Sequence, residues 1–147
     1  MSPEHFTLVE EVVAPGEPGR DNHLLDYQTQ EQVTSMWRRY IASVRDDVDF
    51  ASVQPVLRRV SYSLESEAMP GDRLTCGIRM ARRSRRSCTF EGVLAHADDG
   101  RPVHVAEMVM VFVDTAARAA VEVPAPFWAA VERLEGRQIP IEDAPVR

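Results

Sequence analysis

The sequence contains no lysine, because all 17 of its basic residues are arginine. Chemistry that needs an amine side chain is therefore excluded, including a Schiff base, a pyridoxal phosphate anchor and the lysine of a P-loop. Phosphate binding stays open, since the guanidinium group of arginine binds phosphate through its planar fork.

Cysteine is scarce as well, with only Cys76 and Cys88 and no C-x-x-C motif. Neither a disulfide framework nor a cysteine-rich zinc site is indicated, and we expect no metal site. No apolar run approaches the roughly 18 residues of a membrane span. The N-terminus lacks the basic and apolar regions of a secretory signal. We therefore expect a cytoplasmic protein without a membrane partner.

The length of 147 residues suits one domain with its own hydrophobic core. We assign residues 1–136 to that domain and residues 137–147 to a loosely held C-terminal tail. The net charge is −6, and no helix-turn-helix or ribonucleoprotein motif is visible, so we expect no nucleic-acid partner.

One long amphipathic helix stands out in the first third of the chain. Its apolar positions recur with helical spacing at Val33, Met36, Trp37, Tyr40, Ile41 and Val44. Two N-caps are possible, Asp26 and the capping-box pattern of residues 29–32. The acidic pair at positions 46 and 47 opposes the helix dipole, so the helix should end before it.

The rest of the pattern predicts strands and one short helix. Period-two alternation or continuous apolar content predicts strands at residues 6–13, 56–64, 74–80, 88–94 and 103–113. The last of these is apolar at almost every position and should be central in the sheet. Pro124 opens a short helix that ends at Gly136. The long helix and the run of strands occupy separate parts of the sequence, which indicates an α+β fold. We expect one curved antiparallel sheet around the long helix.

The sequence resembles the hotdog-fold acyl-CoA thioesterases, in particular the 4-hydroxybenzoyl-CoA thioesterase-like family. The resemblance covers the order of elements over residues 5–135 and several local segments. The matching segments are Glu17–Tyr27, Met69–Asp72, Arg85–Phe90, Phe112–Asp114 and Val123–Pro124. It implies a hotdog fold and hydrolysis of acyl-CoA or acyl-carrier-protein thioesters, with coenzyme A as part of the substrate and no separate cofactor. It also implies a homodimer or homotetramer.

The family's usual signature is D-x-D-x-x-G-H-V-N, with an aspartate as the catalytic carboxylate, and this chain lacks it. If Tyr27 is aligned with the family's helix tyrosine, the catalytic position falls on Glu17; if His23 is aligned with the family's histidine, it falls on Gly19. The first alignment provides a carboxylate, so we predict Glu17 as base or nucleophile, with Asp21 and His23 as further catalytic candidates.

Thioester hydrolysis also needs stabilisation of the carbonyl oxygen, which the free amides at a helix N-terminus supply. We therefore expect Arg20, Asp26 and Tyr27 to contact substrate beside the start of the helix. Two other carboxylates stay open as catalytic alternatives. Glu31 lies one turn into the helix, and Glu107 lies inside the most apolar strand, where it needs an arginine partner or a raised pKa.

Six arginines without any acidic residue among them lie between Arg73 and Arg86. Such a cluster suits the phosphates of coenzyme A or the acidic surface of a carrier protein. The alternative is a solubilising hairpin that protects a sheet edge. The substrate-binding prediction covers Arg82, Arg83, Arg85, Arg86 and Ser87.

Two other functions stay open beside the thioesterase. Some hotdog domains bind acyl thioesters without hydrolysing them. Because this chain lacks the family's catalytic aspartate, a non-catalytic binding protein is the first alternative. Hotdog dehydratases and hydratases share the fold, although their histidine-centred Gly/Pro-rich motif is not found here.

Overall fold

A computed structural model describes residues 2–20 and 22–142 of the protein. The helices and strands are β1 (Leu8–Val13), α1 (Asp26–Val44), β2 (Val53–Leu64), β3 (Arg73–Arg83), β4 (Ser87–His96), β5 (Pro102–Asp114), β6 (Ala120–Val121) and α2 (Ala125–Glu135). Within the described ranges, no helix is long and apolar enough to cross a membrane.

The strands form one antiparallel sheet in the order β1-β3-β4-β5-β2, with the short β6 paired to β5. β5 lies between β4 and β2, as its apolar sequence predicts. Met108 and Val109 are both buried, although they point to opposite faces of the sheet. The strand β2 lies at one edge of the sheet and β1 at the other.

The helix α1 packs across the sheet through the apolar stripe seen in the sequence. Val33, Met36 and Tyr40 are buried in its interface with the sheet. At Gly92 of β4 a Cβ atom would clash with the side chain of Val33, so glycine allows the close approach of helix and sheet here. The α+β prediction of a sheet wrapped around one long helix is confirmed.

The start of α1 differs from both N-cap predictions. The cap is Leu25, whose backbone N–H donates to Gln28 Oε1 at 2.8 Å, and Asp26 is the first helical residue. The capping-box pattern of residues 29–32 lies inside the helix. The far end is as predicted, because α1 ends at Val44 and a 3₁₀ turn, Arg45–Asp47, holds the acidic pair.

The helix α2 ends at Gly136, whose φ of 69° is the left-handed conformation that glycine adopts readily. The six described residues after it are held more closely than expected for a loose tail. Ile139 is buried, and Ile141 forms a bridge with Arg83 at the end of β3.

Candidate active site

A groove of about 530 Å³ opens at the N-terminus of α1. Residues 23–26 and Thr29 form one wall, and residues 64–68 with Val103 form the other. Two backbone hydrogen bonds hold the walls in place, from Leu24 N–H to the carbonyl of Ala68 (2.7 Å) and from Glu65 N–H to the carbonyl of Val103 (2.9 Å).

Asp26 places a carboxylate on the wall of this groove. The hydroxyl of Tyr62, on β2, donates to Asp26 Oδ2 at 2.7 Å. This hydrogen bond and a second one from the backbone amide of Tyr27 lower the pKa of Asp26 below its usual value. The carboxylate is therefore ionised at neutral pH and can accept a proton.

His104 lies behind Asp26 and is fully buried. Its Nδ1 lies 2.8 Å from Thr29 Oγ1, and its Nε2 lies 2.6 Å from Gln30 Oε1. Burial lowers the pKa of His104 to about 4, against the opposing effect of the Asp26 charge, so the imidazole is neutral at pH 7.

The ring of Tyr62 stacks on the imidazole of His104, with 4.7 Å between the centroids and 19° between the planes. Asp26, Tyr62, His104, Thr29 and Gln30 thus form one connected polar cluster, the Asp26–His104 network. This network was not predicted from the sequence. The period-two pattern of β5 does place His104 on the same face as the buried Met108 and Met110, and that signal was available.

Glu17, the first catalytic prediction, lies in a surface turn. Its carboxylate forms an ion pair with Arg20 at 3.3 Å, and the two side chains are 63% and 76% exposed. The carboxylate at the first turn of the helix, however, is that of Asp26.

Of the other predicted residues of this stretch, His23 lines the groove. His23 is exposed on the groove wall, with Nδ1 at 3.0 Å from the carbonyl oxygen of Leu24. Tyr27 is 64% exposed on the first turn of α1. Asp21 lies outside the described residues.

The two alternative carboxylates lie elsewhere. Glu31 is exposed on α1. Glu107 was expected to be buried, but its side chain is 42% exposed and pairs with Arg82 at 2.9 Å. Since side chains alternate along β5, Glu107 faces away from α1, whereas His104 and Met108 face it.

The arginine cluster is largely engaged with the protein's own carboxylates. Its ion pairs are Arg73 with Glu11 and Asp98, Arg79 with Glu91, Arg82 with Glu107 and Glu142, Arg83 with Glu132, and Arg85 with Glu122. Arg86 is exposed and has no ion-pair partner in the part of the chain that the structure describes. Ser87 is buried and bonds to Ser84 through the two hydroxyl oxygens, 2.6 Å apart.

The two histidines beside the β4–β5 hairpin, His96 and His104, make separate contacts. His96 Nε2 contacts the carbonyl oxygen of Glu67 at 2.9 Å, whereas His104 belongs to the network under α1. Among residues 2–20 and 22–142, no group of three or more His, Cys, Asp or Glu side chains is placed to hold a metal ion.

Several solved structures share this architecture. A thioesterase from Thermus thermophilus in complex with coenzyme A and Zn is 18% identical, with a TM-score of 0.76 over 92% of this chain and 99% of that one. A 1,4-dihydroxy-2-naphthoyl-CoA thioesterase from Synechocystis is 14% identical (TM-score 0.70, 84% and 93% covered). The 12:0-ACP thioesterase from Umbellularia californica is 12% identical (TM-score 0.74, 95% and 59% covered).

The sequence comparisons identify a family for this chain. No curated protein sequence matches the chain significantly. A sequence model of the thioesterase-like superfamily matches residues 19–131, which include α1, the groove walls and all of the long strands from β2 to β5. The chain therefore belongs to the thioesterase-like superfamily and has the hotdog fold.

Proposed function

We propose that the protein hydrolyses acyl thioesters and that Asp26 is the carboxylate that activates water. The observation that carries this proposal is the position of Asp26: an ionised side chain at the first turn of α1, on the wall of an open groove. Membership of the thioesterase-like superfamily supports the type of reaction.

The reaction follows from the chemistry of this turn. Asp26 accepts a proton from a water molecule, whose oxygen attacks the thioester carbonyl carbon. The intrahelical hydrogen bonds of α1 begin with the N–H groups of Gln28 and Thr29, which both donate to the carbonyl of Leu25. The N–H groups of Leu25 and Tyr27 already donate to Gln28 Oε1 and to the Asp26 carboxylate. The positive end of the helix dipole favours negative charge at this turn, so it stabilises the oxyanion as it forms. The C–S bond then breaks and releases the free acid and the thiol.

His23 is proposed to supply the proton that the leaving thiolate takes up. Because its Nδ1 faces the carbonyl oxygen of Leu24, the neutral ring donates from Nδ1 and presents Nε2 as a proton acceptor. Nε2 can then take up the proton that Asp26 has accepted from water and pass it on to sulfur, which returns Asp26 to its ionised form.

Paired substitutions test which carboxylate acts. Asp26→Asn should lower kcat by about a hundredfold or more in a thiol-release assay with a panel of acyl-CoAs. Glu17→Gln, a matched change on the exposed turn, should retain most of the activity. Loss of kcat in Glu17→Gln with full activity in Asp26→Asn would instead assign catalysis to Glu17. Tight binding of acyl-CoA by the wild-type protein without thiol release would support a non-catalytic binding protein.

Acyl-CoA is the proposed form of the substrate, with acyl-carrier protein as the alternative. Docking of an acidic carrier protein needs a broad basic surface, and most of the cluster between Arg73 and Arg86 is neutralised by ion pairs. The phosphates of coenzyme A need only a few free guanidinium groups. Comparing kcat/KM for the same acyl group on the two carriers decides between them.

We also propose that two copies associate through the edge strand β2. The C-terminal half of β2 exposes the side chains of Val60, Tyr62 and Leu64. The neighbouring start of α1 exposes those of Leu25 and Tyr27. An open strand edge beside apolar side chains favours pairing with a second strand. Light scattering should show a dimer or tetramer, and Val60→Asp should shift it toward the monomer. A monomeric wild-type protein would reject this association.

A further inference from the structure

The contact between Tyr62 and Asp26 links the sheet edge to the first residue of the central helix. Tyr62 lies on β2 opposite Ala106 of β5, so its ring is on the face of the sheet that carries α1. Its hydroxyl donates to Asp26 Oδ2 at 2.7 Å, although the ring is 42% exposed. An exposed tyrosine keeps a defined position only if something beneath it fixes the ring.

His104 provides that support. Its imidazole is fully buried directly under the Tyr62 ring, with the two rings stacked at 4.7 Å. Contacts at both ring nitrogens, to Thr29 and Gln30 of α1, fix the orientation of the imidazole. The ring therefore cannot rotate without breaking two hydrogen bonds in the interior, each of which is costly to leave unmade.

The hydrogen bonds around His104 also fix its tautomer. The amide nitrogen of Gln30 donates to Thr34 Oγ1 at 3.0 Å, so Gln30 Oε1 is the atom that accepts from His104 Nε2–H. Nδ1 is then the acceptor for the hydroxyl of Thr29. Thr29 Oγ1 also lies 3.0 Å from the carbonyl oxygen of Asp26, to which it can donate only when it does not donate to His104. A neutral imidazole with its proton on Nε2 has a partner at both ring nitrogens when Thr29 donates to Nδ1, so His104 acts through geometry.

We infer that Tyr62, supported by the buried ring of His104, is a positioning residue for the Asp26 carboxylate. This inference rests on the proposed function, in which Asp26 activates water. The hydrogen bond from Tyr62 fixes one carboxylate oxygen and favours the ionised form of Asp26. Besides Tyr62, His104 on β5 acts on the Asp26 charge, and the titratable side chains of His23, Glu65 and Glu67 line the same groove.

Tyr62→Phe tests the inference, because it keeps the stacked ring and removes only the donor. We expect kcat to fall about tenfold to a hundredfold, as for the loss of a hydrogen bond to a charged group, with little change in KM. The acid limb of the pH profile of kcat/KM should move to higher pH. Ser61→Ala, the adjacent residue of β2 on the opposite face, is the matched control and should leave both quantities unchanged.

A second measurement does not depend on activity. Titration of the Asp26 carboxyl by NMR should give a higher pKa in Tyr62→Phe than in the wild-type protein. Equal values in the two proteins, or an unchanged kcat and acid limb in Tyr62→Phe, would overturn the inference.

The role of His104 is tested by a double-mutant cycle. His104→Phe keeps an aromatic ring and removes both nitrogen contacts. If His104 acts through Tyr62, kcat of the double variant should be no lower than kcat of Tyr62→Phe. If the fold-losses in kcat of the two single variants multiply in the double variant, the two residues act independently and this role of His104 is contradicted. If His104→Phe does not fold, Tyr62→Phe alone decides. Failure of the wild-type protein to hydrolyse any thioester rejects the proposed function, and the Asp26 titration remains a separate test of the Tyr62 contact.

Discussion

The hydroxyl of Tyr40 donates a hydrogen bond of 2.7 Å to the carboxylate of Glu135, which joins the C-terminal part of α1 to the last residue of α2. Tyr40 is fully buried and the Glu135 side chain is 1% exposed. The same carboxylate oxygen accepts the backbone N–H of Met80, at the point where the register of β3 shifts. Arg137 pairs with Glu135 and donates to the carbonyl of Met80, so the buried charge is compensated.

Loss of the Glu135 carboxylate should destabilise the fold. Glu135→Ala leaves the Tyr40 hydroxyl and the Met80 amide without their acceptor and should lower the free energy of unfolding by about 2–5 kcal/mol. Glu135→Gln keeps an acceptor and should cost less. Urea unfolding measures both, with Glu31→Ala on the exposed face of α1 as the control. A Glu135→Ala variant as stable as the control would contradict this account of the cluster.

Acidification should unfold the protein partly through His104. Its pKa is lowered from 6.5 to about 4 in the folded protein, so between these values the unfolded chain takes up a proton that the folded chain excludes. This contribution to stability is complete above pH 6.5 and is lost as the pH falls toward 4, by up to about 3 kcal/mol. The lowered pKa of Asp26 acts in the same direction at still lower pH.

Unfolding free energies measured from pH 7 to pH 4 test this expectation. His104→Phe should flatten the slope between pH 6.5 and 4, whatever its stability at pH 7. An equally steep slope in the variant would mean that another group causes the acid sensitivity.

The fold was predictable because two of its signals are local. The apolar stripe of α1 has the helical period and ends before an acidic pair, and both features come from neighbouring residues. The exact start of α1 was not predictable, because the cap depends on the backbone conformation of Leu25 and on the Gln28 side chain. Aspartate is a common N-cap residue, and Asp26 was therefore an N-cap candidate, but the helix already begins at Asp26.

The candidate site was less predictable because it depends on a bulge in β2. Pro55 and Leu57 pair with Phe112 and Met110, so odd-numbered positions face the helix in the first half of the strand. The register shifts after Leu57, and from there the even-numbered positions, including Tyr62, face it. A strict alternation through β2 therefore places Tyr62 on the wrong face. The position of Glu17 depends on a loop conformation that no periodic pattern encodes.

The close approach of α1 to the sheet predicts a compensating pair of substitutions. Gly92→Ala introduces a Cβ that clashes with Val33 and should destabilise the protein by about 1–3 kcal/mol. Val33→Ala creates a cavity and is destabilising alone. In the double variant the new methyl group occupies the space that Val33 leaves, so the combined loss should be smaller than the sum. Thermal or urea unfolding of the wild-type protein, the two single variants and the double variant gives the coupling free energy between the two positions. If the two single losses of stability simply add in the double variant, the contact between Gly92 and Val33 is contradicted.

The pairing within the arginine cluster predicts which guanidinium is available to substrate. Arg82, Arg83 and Arg85 are each engaged with a carboxylate, and Arg83 also lies over the ring of Trp128, 4.9 Å from its centroid. These groups would have to leave their partners before binding phosphate. Arg86 is exposed without such a partner among the residues described, so it is the arginine we expect to contact the phosphates of coenzyme A.

Arg86→Ala should therefore raise KM for acyl-CoA by about three- to tenfold and leave kcat unchanged, because a contact far from the reacting carbonyl is equally strong in the ground state and the transition state. The corresponding acyl-pantetheine lacks the nucleotide phosphates, so its KM should be the same for both proteins. Arg118→Ala, a change of the same type in the β5–β6 turn, is the control. An equal rise in KM for acyl-pantetheine would show that Arg86 acts on the shape of the hairpin, since a phosphate contact cannot affect a substrate that has no phosphate there.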